Sequence, residues 1–269
     1  MTTKSLNPFT ILPEGCISEI ISFTTPADAA RSSAISKGFK SAAESDVVWD
    51  KFLPSDHQDI VSTSVSVVVT DCKKDLYFRL SHSPILLREG RLSFWLDKTS
   101  GKKCYLLSAR RLVISFSDIQ LFWEWISDTD SRFPEVAFLN TVDLLDIRGK
   151  IGTRALSLGT KYAAYLVFKI SERYHGLEST NAMVRFVNQE SEDEAEKRAT
   201  TVILAARAPR HLKGKLPEKR TDGWLEVEIG NFYNGEGDDN GDVEAWLLDS
   251  RPFHAKCGLI IEGLEFCPI

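Results

Sequence analysis

The spacing of apolar residues changes along this chain, and each change marks a different kind of structure. Between Phe9 and Leu53 the spacing is helical. Cys16, Ile17, Ile20 and Ile21 form a stripe, with Glu14, Ser18 and Glu19 off it. Pro13 suits a turn or first helical turn, because it has no amide proton to donate. Thr25, Pro26 and Asp28 make a second helix start: a hydroxyl cap, a proline at the first helical position and an acid at the positive end of the dipole. A third pattern carries Phe39, Ala42 and Ala43, and Val47, Val48, Trp49, Phe52 and Leu53 close the stretch. A small all-α three-helix unit over residues 5–53 is expected. A unit of that size buries only part of its apolar surface and leaves a face for a partner.

Residues 54–91 read as a junction. Val61–Thr70 alternates valine with hydroxyl residues, as a strand or extended linker does, and Lys73–Leu80 reads as a short helix. From residue 92 to 269 the apolar runs are short, alternating and separated by turn residues, which predicts an all-β domain. Strands are expected at Leu92–Leu96, Cys104–Ala109, Val113–Phe116, Thr141–Ile151, Tyr162–Ile170, Ala182–Val187, Thr201–Ala206, Leu225–Phe232, Val243–Leu248 and Gly258–Phe266. Tyr162–Ile170 is apolar on both faces and reads as central, whereas Leu225–Ile229 alternates inward apolar residues with outward Glu226 and Glu228. One helix is expected at Ile119–Ile126. The acidic run Gln189–Lys197 and the basic run Arg207–Arg220 read as solvated loops, the basic one also as a weak nuclear-import candidate. The fold class predicted is an all-β antiparallel sandwich of jelly-roll type behind a small helical unit.

Composition narrows the function. A formal charge of -5 supplies no strong basic field for nucleic acid. No apolar run is long enough to span a membrane, and the first residues lack the apolar core of a signal peptide. Five cysteines, widely spaced and without a CxxC pair, read as free thiols of a reducing compartment, and no Asn-x-Ser/Thr sequon occurs. Cytoplasm and/or nucleus is the expected location.

Enzyme chemistry is not visible. There is no GxSxG, HExxH, GxGxxG or GxxxxGK[ST], and the five histidines are scattered singly. Gly235–Asp242 (GEGDDNGD) begins like a calcium loop from Glu236, but Leu247 stands where the bidentate glutamate is needed. No catalytic residue, metal or cofactor is predicted. The pair Asp242 and Asp249 leaves glycoside hydrolysis as a remote alternative.

The ordered set Leu-Pro, apolar helix, Pro-x-Asp, Arg-x-Ser-x-Ile-Ser, Phe and Ser-Asp-x-x-Trp-x-x-Phe-Leu resembles an F-box. That resemblance implies docking on a Skp-type adaptor, and through it a cullin, by Leu12, Pro13, Ile17, Ile20, Ile21, Pro26, Ile35, Phe39 and Trp49. Arg31, Ser33 and Ser36 also match, and Ala30 stands where a cysteine is frequent. Downstream, CYLLSARRLVISFSDIQLFWEWIS, VDLLDIRGKI, YAAYLVFKI, MVRFV, DGWLEVEIGNF, GDVEAWLL and CGLIIEGLEF, in that order, resemble the phloem protein 2 domain, the fold of the Nictaba-type lectins. The second resemblance implies a carbohydrate site at Phe116, Trp123, Asp242 and Asp249. Phenylalanine stands there for a tryptophan and both aspartates for glutamates. Trp123 is expected to be exposed, with Trp125 and Trp224 structural. Together the resemblances imply a non-catalytic substrate receptor of a ubiquitin ligase whose β-domain recruits a glycan-bearing or protein target. The alternative is a cytosolic or nuclear lectin for N-acetylglucosamine oligomers or the N-glycan core.

Overall fold

A computed structural model describes residues 12–205, 213–235 and 241–269. Phe9–Ile11 of the helical stretch, residues 207–212 of the basic run and residues 236–240 of the GEGDDNGD turn lie outside the described residues. The chain divides into two compact units. One runs to Ile85 and takes in Trp95–Lys103; the other holds Leu86–Phe94 and Cys104–Ile269.

The first unit is helical. Its elements are α1 (Glu14–Ser22), α2 (Pro26–Ser32), α3 (Lys37–Glu44), α4 (Asp46–Phe52), α5 (His57–Ser62) and α6 (Lys73–His82). Thr25 caps α2 by accepting the Asp28 amide at 3.1 Å, and Ser36 caps α3 by accepting the Phe39 amide at 3.3 Å. Ser45 divides the third sequence pattern: its extended backbone ends α3, and its hydroxyl accepts the Val47 amide to start α4. The stretch from Glu14 to Phe52 therefore holds four helices rather than the three expected. Trp49 centres the packing. Its indole N–H donates to the Ala43 carbonyl at 2.7 Å, and its ring meets Tyr77 and Phe78 of α6 at 5.3 and 5.1 Å. Lys73–Leu80 is helical as expected. Val61 and Ser62 end α5, and the rest of the hydroxyl–valine run joins neither sheet.

The strands of the chain are β1 (Ile85–Leu87), β2 (Leu92–Leu96), β3 (Lys103–Ser108), β4 (Val113–Ile114), β5 (Trp123–Ile126), β6 (Val136–Leu139), β7 (Leu145–Gly152), β8 (Thr160–His175) and β9 (Thr180–Phe186), nearly all of them in the second unit. Then come α7 (Glu192–Lys197), β10 (Thr200–Val202), β11 (Glu218–Lys219), β12 (Leu225–Asn234), β13 (Asp242–Asp249) and β14 (Cys257–Pro268). A nine-stranded sheet runs β1-β2-β3-β14-β8-β12-β11, with β6 added on β14 and β5 on β6. A five-stranded sheet runs β10-β9-β13-β7-β4. The pairings of β3 to β14 with one another are antiparallel wherever their register is given. β8 lies between β14 and β12, central as its sequence suggested, and is buried on both faces over most of Tyr162–Phe168.

The sheets meet closely enough to need glycine. A Cβ on Gly149 of β7 would stand 2.6 Å from a methyl of Leu264 on β14, and one on Gly230 of β12 would stand 3.0 Å from Val184 on β9. Phe186 of β9 meets Phe232 of β12 edge-on at 5.9 Å. Two antiparallel sheets with a shared apolar core are the coarse form of the expected sandwich.

Three local expectations are overturned. Ile119–Ile126 is not a helix: a turn leads to β5, which pairs with β6 in register Trp123 to Leu139. The acidic run is not all loop, because Ser191 and Glu194 form a capping box that starts α7, and Ala195 buries against Met183 and Trp246. The cysteines are not all free: Cys104 and Cys267 are joined across β3 and β14 with Cα atoms 4.7 Å apart, leaving Cys16, Cys72 and Cys257 as thiols.

Candidate docking face and the expected carbohydrate site

Alpha-helical geometry sorts the residues of α1 into two faces. Ile17 and Ile21, four apart, are buried with Ser18 between them, and the Ser18 hydroxyl donates to the Ala42 carbonyl at 3.3 Å. Cys16, Ile20 and Phe23 fall at i, i+4 and i+7 and are exposed, Ile20 at 49% and Phe23 at 79%. The single stripe read from the sequence is thus two stripes with different duties. Of the other residues implied for adaptor docking, Leu12, Pro13 and Ile35 are exposed, Ile35 at 65%, and Phe39 is half-buried. Pro26 and Trp49 are buried and act by holding the unit together. Phe23 was not among the residues singled out from the sequence, although its spacing of three from Ile20 and seven from Cys16 was the available signal.

Such a face can do one kind of chemistry. It offers large apolar side chains already held on a rigid helix, so a partner that covers them gains burial at small ordering cost. Fully covering one side chain of this size is worth about 1.5–3 kcal/mol.

The expected carbohydrate residues are arranged otherwise. Phe116 is exposed, follows β4, and has a left-handed backbone (φ 65°) with its ring 5.5 Å from Phe122. Trp123, expected at the surface, is 2% exposed; its indole N–H donates to the Ser115 carbonyl at 3.1 Å. It is buried because the turn feeds it into β5, where it opposes Leu139. Trp125 is half-buried, donates to the Ser117 carbonyl at 3.2 Å and lies under the Arg110 guanidinium; Trp224 is fully buried.

Asp242 and Asp249 occupy the two ends of β13, opposite Gly152 and Leu145 of β7. Seven residues of strand separate them by about 23 Å, so they do not flank one glycosidic bond. Asp242 is exposed. Asp249 is 4% exposed and fully engaged: Arg251 reaches both its oxygens at 2.9 and 2.6 Å, and the buried Lys256 ammonium lies 3.3 Å away. Burial pushes the Asp249 carboxyl up, but hydrogen bonds from the Arg251 side chain and backbone and the charges of Lys256 and Arg251 outweigh it. The group sits below the usual aspartate range. Two described cations of the basic run are similarly engaged. Arg220 pairs with Asp222, Glu226 and Glu265, and Lys215 pairs with Glu228.

Residues 102–268 match the phloem protein 2 family. An F-box protein of Arabidopsis thaliana is 44% identical over 100% of this chain and 82% of its own length. This chain belongs to the F-box proteins that carry a phloem protein 2 domain. F-box protein PP2-B10 of the same plant is 42% identical over 97% of this chain and 94% of its own length. F-box protein SKIP3, also of that plant, is 39% identical over 96% of this chain and 87% of its own. Among solved structures, a Podospora anserina GH26-CBM35 beta-(1,4)-mannanase is similar at a TM-score of 0.36 and 9% identity, over 62% of this chain and 28% of that one. A match so distant bears on neither fold nor function. The F-box relatives span nearly the whole chain, so in this F-box protein the helical unit and the β-rich unit are inherited together.

Proposed function

We propose that this F-box protein is the substrate-receptor subunit of a Skp–cullin–F-box ubiquitin ligase. The helical unit docks a Skp-type adaptor, the β-rich unit holds the target, and catalysis belongs to other subunits. The observation that carries the reading is the exposed Cys16, Ile20 and Phe23 stripe on α1, backed by the buried Ile17 and Ile21 stripe that keeps it rigid. Membership in the F-box family supports assigning that stripe to an adaptor. Such a subunit works in the cytoplasm or nucleus.

The test is a titration of the full chain with purified Skp-type adaptor, with Ile20→Asp/Phe23→Asp as the control. Placing two carboxylates in an apolar contact is expected to weaken binding at least about 100-fold. Unchanged binding in the double variant sinks the assignment.

For the target, a protein surface is favoured over a glycan bound at Phe116, Trp123, Asp242 and Asp249. Trp123 and Asp249 are committed to internal partners. A glycan array probed with the full chain discriminates. Binding to N-acetylglucosamine oligomers that falls in Phe116→Ala would restore the lectin reading.

A further inference from the structure

A cavity of about 530 Å³ in the β-rich unit is lined by none of the residues expected to dock an adaptor or bind carbohydrate. Glu89, Arg91, Ser108 and Arg110 line it, with Phe133 and Pro134 as an apolar wall. The turn leading to it is unusual. Arg88, Glu89 and Gly90 are consecutive left-handed residues (φ 50°, 60° and 77°), a conformation that non-glycine residues adopt only when their surroundings impose it. The Gly90 N–H donates to the Leu87 carbonyl (3.1 Å) and the Arg91 N–H to the Arg88 carbonyl (3.2 Å), closing the turn and bringing Arg91 to the cavity.

The polar groups there are donors in want of an acceptor. Arg110 sends Nε and Nη2 to one oxygen of Glu135, at 2.8 and 2.7 Å, and its guanidinium lies 3.6 Å over the Trp125 ring. The side chain is therefore held in one place while Nη1 has no partner among the described residues. The Arg91 guanidinium likewise has no partner among the described residues. The Ser108 hydroxyl is buried, in a residue 1% exposed, and makes no hydrogen bond. Next in sequence, Arg111 has a buried Nη1 without a partner. Burial and the neighbouring Arg88 charge hold its guanidinium below the usual arginine range. Against these cations stand Glu135, already paired, and Glu89.

We propose that this cavity is an oxyanion site, taking a phosphate or carboxylate group between Arg91, Arg110 and Ser108. Guanidinium forks, one of them held in place at Arg110, recognise both groups, and a ligand oxygen would satisfy the Ser108 hydroxyl that the fold leaves unpaired. The site is independent of adaptor docking.

The test uses the full chain at constant ionic strength, titrated calorimetrically with inorganic phosphate, phosphoserine and glucuronate. At least one of the three is expected to bind with a Kd of about 1 mM or tighter. Saturation by phosphate and phosphoserine alone identifies a phosphate ligand, and saturation by glucuronate alone a carboxylate. Arg91→Gln, which breaks no internal contact, is expected to weaken binding at least about tenfold. Ser108→Ala is expected to weaken it about fivefold, and Glu89→Gln to tighten it about threefold. Arg173→Gln, an exposed arginine elsewhere, is expected to change nothing. Absence of binding by all three probes, or binding that survives Arg91→Gln, overturns the proposal.

Discussion

The helical and β-rich units carry residues that family patterns mark for binding, but they treat those residues in opposite ways. On α1 the marked side chains alternate between a face that builds the unit and a face that nothing in the unit covers. In the β-rich unit Trp123 is packed and hydrogen-bonded, and Asp249 is ion-paired twice over. A motif position tells which residue to look at; only its unmet contacts tell whether it is free to bind. By that measure the helical unit presents an uncovered apolar face, whereas Trp123 and Asp249 of the expected sugar site are held by internal partners and Phe116 and Asp242 stay exposed.

Adjacent residues on α1 offer the sharpest test of this contrast. Ile21→Asp places a lone carboxylate in a site only 3% exposed and is expected to cost about 4 kcal/mol or more, seen as loss of the helical unit in thermal unfolding. Ile20→Asp, one position earlier and half exposed, is expected to cost within about 0.5 kcal/mol. Equal costs would erase the distinction between the two faces.

Trp123→Ala follows, at about 3–5 kcal/mol, because it empties a fully packed ring site and strands the Ser115 carbonyl. A loss under about 1 kcal/mol in chemical denaturation would return Trp123 to the surface.

The two aspartates of β13 separate in the same way. Asp249→Asn leaves the buried Lys256 ammonium without its counter-charge and is expected to cost about 3 kcal/mol, against about 0.5 or less for Asp242→Asn. The pH dependence has a definite sign. The folded pKa of Asp249 is depressed, so its contribution is complete above the unfolded value of about 3.9 and disappears as pH falls through the lower folded value. Melting curves between pH 2 and 5 should show an acid loss that Asp249→Asn flattens. An identical acid slope in the variant would place that loss elsewhere.

Phe116 gives the smallest effect. Phe116→Gly relieves a left-handed backbone and forfeits the tilted ring contact with Phe122, so stability is expected to move by less than about 1 kcal/mol. A larger loss would show the ring to be part of the core.

How much of this was legible in the sequence depends on how local the signal was. The Leu225–Ile229 alternation, the Thr25–Pro26 helix start and the doubly apolar β8 are carried by neighbouring residues and read directly. The Ser191–Glu194 capping box was present too, hidden by the acidity of the run around it. Trp-Glu-Trp at β5 alternates as a strand does, a local signal that stands against the helix expected over Ile119–Ile126. Cys104 and Cys267 lie 163 residues apart, and no spacing rule joins them. Lys256 meets Asp249 across the connection after β13, which no spacing rule marks, although Arg251, two residues on, was a local sign that Asp249 is engaged. Phe23 needed only the helix phase, yet that phase fixes which face is free only once α3 and α4 are seen to cover the other.

The most direct measurement is calorimetric titration of the full chain and of Ile20→Asp/Phe23→Asp into a Skp-type adaptor, with the melting temperature of each recorded alongside. The account predicts saturable binding by the wild-type chain, at least about 100-fold weaker binding by the variant, and melting temperatures that agree. Absence of wild-type binding, or equal binding by a variant that melts like the wild type, would contradict it.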